Sequence, residues 1–297
     1  MAAWVLGVIG GSGIYDIEGL EDARWTSIAS PFGEPSDAVL IGRIGAVTLA
    51  FLPRHGRGHP LPPTYVNTRA NVDALKRAGC TDILSLSAVG SLRESLAPGD
   101  FVVVDQFIDR TFAREKSFFG PGLAAHVSMA HPVCPRLSAL AARAARAAGA
   151  RVVEGGCYLA MEGPQFSTEA ESALYRSWGC DVIGMTNMPE AKLAREAELP
   201  YASVAMVTDY DCWREEVAPV EVRHIQAVLA ANAGRARGLI ARLARELPAE
   251  RPPSPIDTCL DGALITARAA WDPAMVERLS AVAGRALASG ALAATPS

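Results

Sequence analysis

The stretch Ala205-Met206-Val207-Thr208-Asp209-Tyr210-Asp211-Cys212-Trp213 carries two aspartates directly behind a small, apolar run. Residues 203–207 predict a buried β-strand, and in open α/β sheets ligands bind outside the carboxyl ends of the strands. If the extended geometry continues, Asp209 and Asp211 point to the same side of the chain. Taken alone, the pair more often marks a solvated turn, because aspartate is common in turns. Its meaning therefore depends on the rest of the chain.

The composition indicates a compact α/β protein. Of the 297 residues, 50% are hydrophobic and 20% are charged, which argues against intrinsic disorder. The net charge is −4 and no dense basic run occurs, so nucleic acid is not an expected partner. No apolar run is long enough to span a membrane, and the amino terminus lacks the positive region of a signal peptide. We expect a cytoplasmic protein that binds neither nucleic acid nor membranes.

The cysteine pattern argues against a metal site. No two cysteines form a CxxC pair, and free thiols are the ordinary state in the cytoplasm. Cys212 follows Asp211, but no histidine lies near it in sequence, so a nucleophilic role is not favoured. We predict free thiols and no metal ion. The six cysteines are Cys80, Cys134, Cys157, Cys180, Cys212 and Cys259.

Two glycine-containing loops follow predicted strands and are candidates for anion binding. Residues 5–9 lead into Gly10-Gly11-Ser12-Gly13, which lacks both the dinucleotide fingerprint and the Walker lysine. Its backbone amides and the Ser12 hydroxyl can hold one free anion, although a plain tight turn fits equally well. Residues 47–52 lead into a loop containing Arg54 and His55, whose side chains suit phosphate oxygens. A solvated basic loop is the alternative for this second segment.

Three further strand ends carry groups of interest. Residues 82–88 end in Ser87 and Ala88, and residues 157–161 precede the loop 162–167. Residues 181–186 end in Thr186, where Asn187 is predicted to cap the next helix. Thr168 and Glu171 form the sequence of a capping box. Helices are also predicted at residues 65–78, 136–148 and 219–246.

Strands and helices alternate, which predicts a single α/β domain with a central mixed, twisted β-sheet flanked by helices. Residues 109–131 form a long irregular segment with His126 and His131, and such loops are usually functional. Residues 248–255 are rich in proline and predict a linker or arm. The remaining tail, with one helical pattern at residues 273–289, is too small to fold alone. We expect it to pack on the core or on a neighbouring subunit.

The hydroxyls and cations at these strand ends suit a free phosphate, with two carboxylates nearby. This combination predicts phosphorolysis of an N-glycosidic bond, in which the sugar gains cationic character. A leaving purine needs a proton at N7, and Asp209 is the predicted general acid if burial raises its pKa. Asp211 would accept from the exocyclic amine or orient its neighbour. Bound phosphate would be the nucleophile.

The sequence resembles the methylthioadenosine phosphorylases of the trimeric purine nucleoside phosphorylase family over residues 5–245. This resemblance implies a nucleoside phosphorylase type of fold for residues 1–247 and an extension at 248–297. The stretches that carry it are Gly7-Val8-Ile9-Gly10-Gly11-Ser12-Gly13, Arg54-His55-Gly56, Asn67-Thr68-Arg69-Ala70-Asn71, Ala88-Val89-Gly90-Ser91-Leu92-Arg93, Pro98-Gly99-Asp100, Asp105-Gln106-Phe107-Ile108-Asp109-Arg110-Thr111, Glu162-Gly163-Pro164, Met185-Thr186, Pro189-Glu190 and Thr208-Asp209-Tyr210-Asp211-Cys212-Trp213.

The resemblance also implies roles for individual residues. Met185 would contact the ribose, Phe166 would pack on the purine, and Ser167 would influence specificity. His126 would reach the 5′ pocket of a neighbouring subunit, in a homotrimer. The residues implied for phosphate are Ser12, Arg54, His55, Ser87, Ala88 and Thr186, and those for the apolar 5′ pocket are Val222 and Ile225. Asn187 departs from the usual residue at its position, which leaves the fine specificity open.

The implied activity is that of a pentosyltransferase in purine and methionine salvage. It would convert 5′-methylthioadenosine and phosphate into adenine and 5-methylthioribose 1-phosphate, with no cofactor beyond the co-substrate phosphate. Asp209 stands where 6-oxopurine enzymes of the family have asparagine, which favours a 6-aminopurine. The alternatives are a broader enzyme that uses adenosine, a 6-oxopurine or methylthioinosine phosphorylase, and a non-catalytic nucleoside-binding protein on the same fold.

Overall fold

A branched β-sheet runs through the centre of the computed structural model, which describes residues 3–11, 13–214 and 222–290. Within these residues the strands are β1 (Val5–Gly10), β2 (Glu21–Thr26), β3 (Val39–Ile44), β4 (Val47–Pro53), β5 (Asp82–Ser91), β6 (Phe101–Val104), β7 (Gln106–Asp109), β8 (Val152–Glu154), β9 (Cys157–Ala160), β10 (Val182–Gly184) and β11 (Tyr201–Asp209). The α-helices are α1 (Thr68–Arg77), α2 (Pro135–Ala147), α3 (Glu169–Ser177), α4 (Asn187–Glu196), α5 (Val222–Glu246), α6 (Pro273–Arg278) and α7 (Gly284–Ser289).

Strand β5 is the branch point of the sheet. One path through it has the order β2-β3-β4-β1-β5-β10-β9-β7, and β11 also pairs with β5 and leads to β6 and β8. Strand β5 pairs in parallel with β1 over its first half and with β11 over most of its length, whereas its last two residues pair with β10 in antiparallel fashion. The carboxyl ends of β1, β5 and β11 therefore lie at the same edge of the sheet.

Helices cover both faces of this sheet, because the central strands are buried on both sides. Leu84 and Leu86 of β5 pack in the cluster that contains residues of α2 and α5. Ile83 and Val89 pack in the opposite cluster, with residues of α1 and α4. This alternation follows the two-residue period of a strand. The predicted α/β fold with a mixed sheet flanked by helices is confirmed.

Two predicted helix starts differ from the structure. Helix α1 begins at Thr68, after a short 3₁₀ turn at Pro63–Tyr65, and the Asn67 side chain accepts a hydrogen bond from the amide of Ala70. The prediction that Asn187 caps α4 is wrong, because its side chain is buried among other polar side chains. Met188 has φ −120° and ψ 132°, so the regular turns begin only after it.

Sequence predictions are correct elsewhere where the interacting residues are only a few positions apart. The predicted capping box is present, since Thr168 accepts from the Glu171 amide and Glu171 accepts from the Thr168 amide. Strands β2 and β3 were not predicted from the sequence. Strand β2 is exposed and charged and has no apolar period. Helix α5 begins at Val222, and the predicted residues 219–221 lie outside the described part of the chain.

The carboxyl-terminal extension packs on the core of its own chain. The predicted helix at 273–289 is two short helices, α6 and α7. Arg251 pairs with Asp82 in β5 and with Asp257, and Arg285 pairs with Glu198. The division at residue 247 stays a prediction. Extension residues in the core cluster are Leu260, Ala263, Leu264, Leu279, Val282, Ala283, Ala286 and Leu287.

None of the helices in the described residues combines the length and the apolar character that crossing a membrane requires.

Docking of the extension can be tested at two neighbouring residues. Leu264 is 0% exposed within the core cluster, whereas Ile265 is 52% exposed. We expect Leu264→Ala to lower the free energy of unfolding by about 2–5 kcal/mol, because it removes buried methyl groups and leaves a cavity. Ile265→Ala should change it by less than about 1 kcal/mol. Urea unfolding at one fixed protein concentration measures both values. Equal effects would show that the extension is not docked as described.

Candidate active site

A cavity of about 260 Å³ lies at the carboxyl ends of β1, β4 and β5. Helix α5 closes one side of it with Leu229 and Ala233, and Met206 of β11 contributes an apolar wall. Five of the six residues predicted to bind phosphate line this cavity. They are Arg54, His55, Ser87, Ala88 and Thr186. The sixth, Ser12, lies outside the described residues.

Arg54 is held in the wall of the cavity by a buried ion pair. Its Nε donates to Glu190 at 3.0 Å, and the two side chains are 3% and 2% exposed. Its Nη atoms donate to the carbonyls of Leu86 and Ile9 and to the hydroxyl of Ser85. Burial would lower the pKa of Arg54, but the Glu190 carboxylate raises it, so the guanidinium stays charged.

This pairing changes the expected role of Arg54. Four of its five N–H groups have acceptors within the described residues, which leaves one Nη1 hydrogen for an anion. The charge of Glu190 also offsets that of Arg54. A phosphate in this cavity would thus rely mainly on neutral donors, with Arg54 supplying a single hydrogen bond.

His55 is neutral at ordinary pH. Burial, followed by the charge of Arg54, lowers the pKa of His55 to about 4. Its Nδ1 lies 2.9 Å from the carbonyl of Leu61, so Nδ1 carries the hydrogen and Nε2 has a free lone pair. The ring stacks on His59 at 4.2 Å between centroids. His55 can therefore accept a hydrogen bond from a protonated phosphate oxygen, rather than donate one as the sequence suggested.

Asp209 and Asp211 lie further along the same edge of the sheet. Met206 is opposite Ala88 of β5, whereas Asp209 is opposite Gly90, with a register shift before it. The expected extended geometry does not continue, because Asp211 lies in a turn with φ 53°. The two carboxyl groups are nevertheless neighbours, since the Asp211 amide donates to Asp209 Oδ1 at 2.8 Å.

Burial raises the pKa of both aspartates. For Asp209, the Thr208 hydroxyl and the Asp211 amide partly oppose this effect. For Asp211, the negative charge of Asp209 adds to it. A Cβ atom at Gly90 would lie 3.0 Å from Asp209 Oδ1, so glycine is needed there to leave room for the carboxylate. Two acids with raised pKa values thus lie beside each other, about three strand residues, or roughly 10 Å, from the cavity wall at Met206.

The loop 162–168 lies beside the aspartate turn. The Cys212 thiol donates to the carbonyl of Ser167 at 3.3 Å, and the Ser167 hydroxyl lies 3.8 Å from the sulfur of Met161. Phe166 is half-exposed, which leaves its ring available to a ligand. A Cβ atom at Gly163 would collide with the Met185 side chain, so these two predicted substrate segments pack directly together.

Sequence reasoning missed Arg114, which bonds to both of these substrate segments. Its Nε donates to Glu162 at 2.9 Å, and its Nη atoms donate to the carbonyls of Met185, Met188 and Glu162. Burial would raise the pKa of Glu162, but the Thr64 hydroxyl and three groups of residues 112–114 lower it to about 2. Arg114 sits in the irregular segment 109–131, so no local period could have identified it.

Three other predicted site residues are not placed at the cavity. His126 is exposed, and its amide donates to the carbonyl of Ala263 in the extension. Its predicted contact with a neighbouring subunit stays a prediction. The side chains of Val222 and Ile225 lie outside the described part of the chain.

The chemistry of the described site is that of neutral donors, one buried ion pair and two acids with raised pKa values. Among residues 3–11, 13–214 and 222–290, no three His, Cys, Asp or Glu side chains are grouped as metal ligands. The six cysteines are free, as predicted.

The chain belongs to the Phosphorylase superfamily, whose model matches residues 5–245. This match confirms the family resemblance seen in the sequence. A curated relative from Cereibacter sphaeroides, named S-methyl-5'-thioadenosine phosphorylase, is 64% identical and covers 95% of this chain and 98% of its own. One with the same name from Geobacter sulfurreducens is 52% identical and covers 94% and 98%.

Solved structures agree with these relatives. A methylthioadenosine phosphorylase from an antarctic soil metagenomic library has a TM-score of 0.90 and 45% identity, covering 95% of this chain and 99% of its own. The Schistosoma mansoni methylthioadenosine phosphorylase, in complex with adenine, has a TM-score of 0.78 and 39% identity, covering 82% and 91%.

The neutral state of His55 has a consequence for stability. Its pKa in the folded chain, about 4, lies below the ordinary value of 6.5, so the unfolded chain takes up the proton first. The stability that depends on neutral His55 is complete above pH 6.5 and is lost as the pH falls towards 4. The full loss amounts to about 3 kcal/mol. We expect His55→Gln, which does not titrate, to lose less stability than the wild type between pH 7.5 and 4.5 in urea unfolding. The same loss in both proteins would contradict the assignment.

Proposed function

We propose that this protein cleaves 5′-methylthioadenosine with phosphate, giving adenine and 5-methylthioribose 1-phosphate. The names of its relatives support this activity, and so does one feature of its own structure. Strand β5 brings the Ser87 hydroxyl and the Ala88 backbone to the cavity, and the end of β11 and the turn after it carry the carboxyl groups of Asp209 and Asp211. A nucleoside between them would have its sugar near the cavity and its base near the acids.

The reaction begins at the cavity. Phosphate accepts hydrogen bonds from Arg54, from the Ser87 and Thr186 hydroxyls and from Ser12, and it donates its own O–H to His55 Nε2. An oxygen of the bound phosphate attacks C1′ of the sugar from the face opposite the base. The C1′–N9 bond breaks as the C1′–O bond forms, and its electron pair moves into the purine. The negative phosphate also stabilises the developing positive charge on the sugar.

The departing base needs a proton, and Asp209 supplies it. Burial raises the pKa of Asp209, which increases its protonated fraction at working pH. The proton moves to N7, so adenine leaves as a neutral molecule. Asp211 accepts a hydrogen bond from the exocyclic amine, which a 6-oxopurine lacks. Phe166 packs on the purine, Ser167 borders it, and Met185 contacts the ribose.

The preference for the methylthio group rests on an apolar 5′ pocket. We assign Val222 and Ile225 to it by family resemblance, together with His126 of a neighbouring subunit. An apolar pocket discriminates a missing or polar group by only about 10–200-fold. Adenosine is therefore the expected second substrate.

We further propose a cytoplasmic homotrimer that uses no cofactor. The side chains of Tyr65 and Phe112 are 75% and 82% exposed, and the neighbouring Thr64 hydroxyl and the Phe112 amide donate to Glu162. Exposed aromatic side chains of this kind suit a subunit contact. Residues 1–247 would form the catalytic domain, and 248–297 an extension of it. Sedimentation of the purified protein determines the number of subunits.

The substrate assignment is tested by adenine release from 5′-methylthioadenosine and adenosine, and hypoxanthine release from methylthioinosine, each with and without phosphate. We expect phosphate-dependent release that is fastest with methylthioadenosine. Similar rates with adenosine would agree with the mechanism and contradict the preference for methylthioadenosine. Turnover of methylthioinosine alone would contradict the proposed base site. Binding without any turnover would favour a nucleoside-binding protein.

The role of Asp209 is tested by replacing each acid with its amide. Asp209→Asn removes the proton donor, so kcat with methylthioadenosine should fall by about 10²–10⁴-fold. Asp211→Asn keeps an oxygen that can accept from the exocyclic amine, so its loss should be smaller, about tenfold. Steady-state kinetics at saturating phosphate measures both. An Asp209→Asn variant with wild-type kcat would refute the general-acid assignment.

A further inference from the structure

Asn187 occupies an unusual position beside the phosphate cavity. Its side chain is 0% exposed, and it does not cap helix α4. The carboxamide instead bonds to hydroxyl groups of strands β5 and β11 and of the residue that precedes α4. Its partners are Ser85, Ser87, Thr186, Tyr201 and Ser203.

The nitrogen side of the carboxamide is anchored in the core. Nδ2 has two hydrogens and three hydroxyl acceptors within reach, Tyr201 at 2.6 Å, Ser203 at 2.8 Å and Ser85 at 3.2 Å, so its hydrogens are shared among them. The Tyr201 hydroxyl donates onward to Glu190, and Ser85 accepts from Arg54. The amide orientation is thereby fixed, because these acceptors surround only the nitrogen. Asn187 is thus tied to the buried ion pair.

The oxygen side faces the cavity-lining hydroxyls. Oδ1 accepts from Ser87 at 2.6 Å and lies 3.4 Å from the Thr186 hydroxyl. Both of these residues line the cavity. The bond at 2.6 Å places the Ser87 hydroxyl beside Oδ1, and this bond breaks when the hydroxyl turns towards an anion. An anion in the cavity can then receive the Ser87 hydrogen, while the Thr186 hydroxyl, 3.4 Å from Oδ1, stays within reach of Oδ1 as a shared donor.

We propose that Asn187 is a positioning residue for phosphate, which orients the Ser87 and Thr186 hydroxyls and gives up the Ser87 hydrogen bond to the incoming anion. This inference rests on the proposed function, because it assigns phosphate to the same cavity. Asn187 itself does not touch the anion. Its carboxamide joins the hydroxyl donors to the Arg54–Glu190 pair, so that both parts of the phosphate site share one geometry. An apolar side chain of similar size would fill the volume and leave the surrounding hydroxyls without partners.

The test compares phosphate binding with nucleoside binding. We expect Asn187→Ala to weaken the binding of inorganic phosphate about tenfold, because the hydroxyl donors lose their orientation. The KM for methylthioadenosine should stay within about threefold, since the base and sugar contacts lie elsewhere. Calorimetric titration with inorganic phosphate gives the first value and steady-state kinetics the second. If the alanine variant does not fold, Asn187→Thr, which keeps one polar oxygen, takes its place. It should weaken phosphate binding by a smaller factor and likewise leave the KM for methylthioadenosine nearly unchanged.

A double-mutant cycle tests whether Asn187 affects phosphate binding through Ser87. Ser87→Ala and Asn187→Ala together should weaken phosphate binding by less than the product of the two single effects, because Asn187 acts through Ser87. Asn71→Ala is the matched control, since Asn71 is buried and bonds to Ser36 away from the cavity lining. It should leave phosphate binding unchanged.

Three results would overturn the proposal. They are phosphate binding by Asn187→Ala within about twofold of wild type, strictly multiplicative effects in the cycle, and an equal loss in Asn71→Ala. The titration needs no nucleoside, so it decides the role of Asn187 even if the wild type fails to release adenine. That failure would refute the proposed function alone.

Discussion

The buried ion pair between Arg54 and Glu190 is the constraint on which the site depends. Two charges that are almost fully removed from water are tolerated only when their remaining hydrogen-bonding groups are satisfied. Ser85, Tyr201 and the carbonyl of Leu86 meet this requirement. These partners belong to strands β5 and β11, and the pair joins Arg54, which directly follows β4, to Glu190 of α4. Satisfying the charges therefore fixes the relative positions of four elements, and the cavity lies at the edge of that arrangement.

Strands β5 and β11 connect this polar centre to the base site. Both are buried on their two faces, yet β5 carries Ser85 and Ser87 and β11 carries Ser203 where apolar strands would have valine or leucine. These hydroxyls have partners in the network around Asn187, which removes the penalty of burying them. Near the end of β5, Gly90 is opposite Asp209, the last residue of β11. One pair of strands therefore carries both the cavity wall and the Asp209 carboxyl group, which suits the proposed reaction because that reaction needs phosphate and base in line.

The extension after residue 247 is hydrogen-bonded to the irregular segment at residues 109–131. The amide of His126 donates to Ala263, and the amide of Ile265 donates to Ala124, so a short bridge holds the two segments together. Helices of six residues have little stability alone, and here apolar packing on the core stabilises them. A tail that would be unfolded in isolation thus fixes the position of the loop that carries His126.

The sequence by itself determined the class of fold, the strand ends that hold Arg54, His55, Ser87 and Thr186, and the family. These follow from alternating apolar segments, from glycines and from motifs read along the chain. The tertiary structure alone decided the hydrogen-bonding state of His55, the turn at Asp211 and the hydrogen-bond partners of Asn187 and Arg114. Asn187 bonds to a residue 100 positions away and Arg114 to carbonyls more than 70 positions away. The secondary structure of a segment depends mainly on residues a few positions away in sequence. The burial of a side chain and its long-range partners depend on how the strands assemble into the sheet.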